Sequence, residues 1–147
     1  MPEAQRSLYQ YAVIRVVPDV ERGECFNVGV VLLCRDRRFL AARCRLDERV
    51  LATLAPGLDP ATLQGHLDTI EAIAAGDPTG GPIAQFSPGE RFHWLVSPSS
   101  TMVQPGPVHT GLCGQPAEML DHLFASLVER RAAGTTPGGS ETDGPGI

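Results

Sequence analysis

Lysine is absent from this chain. Among its 147 residues all twelve basic side chains are Arg. That bias suits a GC-rich genome, and it also supplies planar guanidinium forks that match carboxylate and phosphate groups. Positive charge is scarce too. The net charge of −5 argues against broad, non-specific nucleic-acid binding. Long apolar runs are missing. The longest strongly apolar stretch, around Val30 to Cys34, is far too short to span a bilayer. The N-terminus lacks the apolar segment of a secretion signal, so a cytoplasmic location is expected. The four cysteines, Cys25, Cys34, Cys44 and Cys113, form no C-x-x-C pair, and no His stands near one at metal-ligand spacing. They read as reduced, mostly buried thiols, with no disulfide and no metal. The familiar catalytic and phosphate-binding motifs are absent as well: no G-x-S-x-G, no P-loop, no G-x-G-x-x-G, no H-E-x-x-H. No cofactor is implied. Aromatics are few, and Trp94 is the only Trp.

What remains is an ordinary globular composition, 42% hydrophobic and 20% charged, at a length that builds one core. The charge is lopsided. Residues 1–50 hold nine Arg against seven acids, net +2, and residues 51–147 hold three Arg against ten acids, net −7. This is either a solvated surface or an Arg-lined anionic site on the N-terminal part.

The periodicity predicts an α+β fold: an antiparallel sheet of four to five strands, with two longer helices and one short helix mostly on one face. Residues 9–17 are β-branched and aromatic and read as a strand ended by Pro18. Residues 25–34 are apolar on both faces, as a central strand must be. A charged turn at Arg35 to Arg38 leads into a third strand, residues 39–46, which completes a meander. In that register Cys34 faces Phe39 and Cys44 faces Gly29.

Asp47 can cap a short helix bearing Val50, Leu51 and Leu54. Asp59-Pro60 opens a longer one with Leu63, Leu67, Ile70 and Ala74 on one face, closed by Gly76. Residues 76–89 read as loop, Phe92 to Val96 as a fourth strand, and Thr101 to Gln104 as an edge strand limited by Pro105 and Pro107. Pro116 opens the last helix, with an apolar stripe of Leu120, Leu123, Phe124, Leu127 and Val128. Residues 1–131 make one domain. Residues 132–147, rich in Gly, Thr, Pro and acid, read as a disordered tail.

The candidate ligand-binding residues are Arg15, Asn27, Arg91, Ser100, Thr101, Gln104 and His109. Arg15 stands amid Val and Ile, where a charge needs a partner. It either pairs with Asp19 or Glu24 at an exposed edge or lines a pocket. Asn27 and Gly29 interrupt an apolar run, which marks a bulge or a close backbone approach. The stretch 90–111 crowds Arg91, Ser100, Thr101, Gln104 and His109 onto a Pro-stiffened segment. Such groups either hold an anion or a nucleotide edge, or satisfy the backbone of an irregular connection. No catalytic residue is assigned. Cys25 reads as a free thiol, and Ser100 with His109 lacks a group to orient the His.

Three blocks, Tyr11 to Asp19, Arg22 to Val30 and Arg91 to Gly111, carry a resemblance. They are similar to the bacterial domain-of-unknown-function family 3037, over about residues 9–131. The resemblance implies a small stand-alone protein with no assigned activity and an accessory role, with a kinase-like protein as possible partner. Cys25 departs from the larger apolar or acidic residue expected there, which speaks against a catalytic thiol. The expected function is that of a non-catalytic accessory or interaction protein. The alternative is a small-anion or nucleotide-binding module.

Overall fold

The computed structural model describes residues 5–19, 21–98 and 101–129. The first two strands, β1 (Ser7–Asp19) and β2 (Glu24–Cys34), pair antiparallel around the turn at Gly23, whose φ of 72° only Gly adopts without strain. β3 (Phe39–Cys44) returns along β2 with Cys34 opposite Phe39 and Gly29 opposite Cys44, the register expected from the turn at residues 35–38. Gly29 is required there. A Cβ at that position would lie 2.7 Å from Cys44 Sγ and 2.9 Å from the Arg43 carbonyl oxygen.

The far side of β1 is shared by two short strands. β4 (Val103–Pro105) pairs with its C-terminal half and β5 (His109–Cys113) with its N-terminal half. β1 therefore runs longer than residues 9–17, and β5 lies in a stretch that the sequence left as an irregular connection. β2 is central, and its Val28, Val30, Val31, Leu32 and Leu33 are almost fully buried.

Helices cover both faces. On one side lie α1 (Glu48–Leu54), α2 (Pro60–Ala75) and α3 (Pro88–Leu95). They enclose Ala12, Ile14, Val16, Val28, Val31, Leu33, Leu63, Leu67 and Phe92 in one core. On the other side α4 (Pro116–Leu127) lays Leu120, Leu123 and Phe124 across Val30, Leu32 and Cys34 in a second core. Asp47 caps α1, and Asp59 caps α2 with Pro60 at its first turn. Gly76 ends α2 in the left-handed region. These are the boundaries the sequence indicated. Of the apolar residues of α1, Leu51 is buried and Leu54 is 54% exposed.

The expected strand at Phe92 to Val96 is instead α3. Its start is a capping box: Ser87 Oγ accepts from the Glu90 backbone N–H, and the Glu90 carboxylate accepts from the Ser87 N–H. Phe92, Leu95 and Val96 then fall at i, i+3, i+4 and pack on the first core. Two 3₁₀ turns, Pro78–Gly80 and Pro82–Gln85, fill the expected loop before it. The tail at 132–147 lies outside the described residues.

Candidate functional site

The candidate residues divide between the two sheet faces. Along β1, Ile14 and Val16 point into the first core, so Arg15 stands on the α4 face. A bulge in β2 at Val28 sets Asn27 opposite Arg15, and Gln104 of β4 flanks Arg15 on the other side. These three residues are lateral neighbours. Asn27 is committed: its Nδ2 donates to the Leu127 carbonyl at 2.9 Å and ties β2 to the end of α4. Gln104 Nε2 donates to the Thr101 carbonyl, and Thr101 Oγ1 donates to the Val103 carbonyl, so much of this segment's polarity is spent within the connection. His109 is exposed on β5 opposite Tyr11, with ring centroids 5.2 Å apart. It stands four residues along β1 from Arg15, about 13 Å away at strand spacing. Ser100 lies outside the described residues.

Arg91 does not join them. Its Nη1 donates to the carbonyls of Ile73 and Ala74 at 2.9 and 2.6 Å, and its Nε donates to the Phe86 carbonyl at 2.9 Å. It serves carbonyls of the last turn of α2, where helical N–H donors run out and Ile73 otherwise has only the Gly76 N–H, on the face away from Arg15. Among the described members of the candidate set, Arg15, Asn27, Arg91, Thr101, Gln104 and His109, Arg91 therefore stands apart from the others.

The best-formed recess lies elsewhere. α2 packs on β3 and α3 on β2. Beside the short β4 a cleft of about 280 Å³ forms between α2, α3 and β4, over Ile14 of β1. One helical stripe of α2, His66, Thr69, Ile70 and Ile73, makes one wall. Trp94 and Leu95 of α3 make the second wall, Ile14 the floor, and residues Thr101 to Pro105 the third side. The lining is mainly apolar, with hydroxyls and an imidazole at the rim. Trp94 is 51% exposed. Its other side borders a shallower recess with Phe86, His93 and Arg35. Of the candidate residues only Thr101 and Gln104 reach the cleft. Trp94 was legible as the only Trp, and the 66-69-70-73 stripe is a second apolar edge of α2 beside its core stripe.

The reactive groups are quiet. Burial raises the Cys44 thiol well above its ordinary pKa, with Glu71 and Asp68 adding to the shift, and burial raises Cys113 as well, so both stay protonated. Arg22 and Glu24 form an exposed ion pair with each other, and Arg15 takes neither Asp19 nor Glu24 as its partner. Among the described residues no His ring hydrogen-bonds a carboxylate, and no group of three His, Cys, Asp or Glu is placed to hold a metal. No helix among them is long and apolar enough to cross a membrane.

Fold and recess together define a small α+β sheet domain with an apolar cleft between its helical layer and an edge strand. The chain belongs to the family described as Protein of unknown function (DUF3037), whose model matches residues 11–128. No curated protein and no solved structure matches it.

Proposed function

We propose that this protein is a non-catalytic interaction module that seats an apolar side chain of a protein partner in the cleft beside Trp94. The observation that carries the reading is the cleft itself: about 280 Å³, apolar inside, polar at the rim, with a half-exposed Trp as one wall. That is the build of an anchor pocket, in which one large side chain supplies much of the binding energy. Burying a Leu- or Phe-sized group there is worth roughly 1.5–3 kcal/mol. Support also comes from Leu8 and Leu112. They face each other across β1 and β5 on the same sheet face and are 57% and 54% exposed. The partner class implied by the family resemblance is a kinase-like protein.

Trp94 supplies the test, because no other Trp contributes to the emission. Titration with a kinase-like partner should shift the emission to shorter wavelength as the indole leaves water. Thr69→Arg, an exposed change at the cleft rim, should weaken binding at least roughly tenfold, the loss of one anchor. Binding that leaves both the emission and the Thr69→Arg affinity unchanged would place the contact elsewhere.

A further inference from the structure

We propose that Arg15 anchors an oxyanion-binding site on the α4 side of the sheet, one that takes a carboxylate or phosphate group. This site stands apart from the Trp94 cleft and does not depend on it. α4 lies across β2 and β3, so Tyr11, Val13 and Arg15 of β1 remain only half covered on that face.

The Arg15 guanidinium is held without being used. Its Nε is enclosed and has no hydrogen-bond partner among the described residues. Its Nη1 meets only Cys25 Sγ, a weak acceptor, at 3.9 Å. It lies against the backbone of the neighbouring connection. The fork packs closely against Gly106, where an added Cβ would stand 3.3 Å from both Cζ and Nη2. Gly106 is pinned in turn, since its N–H donates to the Val13 carbonyl at 2.7 Å and prolines flank it on both sides.

The two carboxylates expected to serve Arg15 do not: Glu24 pairs with Arg22, and Asp19 accepts from the Glu21 backbone N–H. Among the described residues, then, Arg15 has no counter-charge. A partly enclosed cation whose terminal donors meet only a weak acceptor gains most from a bidentate oxyanion. Since Nε is shut off, the ligand's oxygens meet Nη1 and Nη2. Asn27, bound to Leu127, holds the neighbouring wall and is not itself a ligand.

The enclosed Nε–Hε pair gives a direct probe by ¹H–¹⁵N NMR of the full chain. Inorganic phosphate and acetate are titrated separately at constant ionic strength. A saturable shift of the Arg15 Nε–Hε signal is expected with at least one of them, and the anion that gives it names the source. Arg15→Ala should abolish saturable binding, and Arg15→Lys, which keeps charge but loses the fork, should weaken it at least roughly tenfold. Gly106→Ala should also weaken it by displacing the fork. If Arg15→Ala does not fold, the wild-type signal and Arg15→Lys decide. No saturable shift with either anion, or Arg15→Lys binding as tightly as wild type, overturns the proposal.

Discussion

Removing the Arg91 side chain tests whether this residue is a structural clamp. One guanidinium joins three backbone carbonyls, those of Ile73 and Ala74 at the end of α2 and that of Phe86 just before α3. Each bond involves a charged donor, for which the net contribution is about 1.5–3 kcal/mol. The side chain is half exposed, and water can reach part of the freed carbonyls. The low end of that range therefore applies, and the three together come to about 4.5 kcal/mol. For a domain of this size that lowers the melting temperature by about 15 °C. Urea denaturation followed by Trp94 emission reads the loss in the helix that carries Arg91. Arg91→Lys should recover only a minor part, because an ammonium cannot span three acceptors on two segments. A loss below about 1 kcal/mol in Arg91→Ala, or full recovery in Arg91→Lys, would refute the clamp.

Three further outcomes are expected. Gly29→Ala should cost about 1–3 kcal/mol in chemical denaturation, because the Arg43 backbone beneath it cannot yield; wild-type stability would mean that β3 moves aside. Val30→Asp puts a charge at a fully buried place in the central strand and should leave no cooperatively folded protein; a soluble, cooperative variant would contradict the two-sided burial of β2. Stability should fall at both ends of the pH range. Hydrogen bonds from Thr62, Thr79 and Ser87 hold Asp59, Asp77 and Glu90 below the ordinary carboxylate range, so their contribution is present above the unfolded pKa and is lost as pH falls through the folded one. Burial raises Tyr9, Cys44 and Cys113, so theirs is complete below the unfolded pKa and lost as pH rises, from about pH 8 upward. Urea midpoints from pH 3 to 10 check both limbs, and a midpoint that keeps rising above about pH 8 would contradict the alkaline one.

Much of this fold was legible. Asp59-Pro60 and Gly76 set the limits of α2 because caps are local chemistry, and the two-sided apolar run at residues 25–34 had to be central. α3 was misread because Phe92 to Val96 is rich in strand-favouring side chains. The competing sign, Ser87 and Glu90 three residues apart, lay outside that run. β5 was missed because Leu112 faces outward, so its alternation does not separate a wet face from a dry one. Arg91 was readable as a cation on a polar segment but not as to its direction, since a strand and a helix aim that position differently. The Trp94 cleft could not be read, because it arises between elements distant in sequence, α2, α3 and β4. Arg15 was read as needing a partner or a pocket, and the structure gives it no carboxylate among the described residues.

The shared side of β1 also bears on crowding. A bare strand invites a second chain to zip onto it, and both outer margins of this sheet are interrupted. On one, β4 ends at Pro105 and Gly106-Pro107-Val108 separates it from β5, so no unbroken ladder is offered. On the other, the Glu71 carboxylate accepts the outward N–H of Cys44 at 2.7 Å and stops the last rung of β3. The remaining open length is the start of β3, beside Phe39 to Arg43. If concentrated protein ever stacks into fibrils from its native state, growth should begin on those five residues, and a Pro placed among them should slow it.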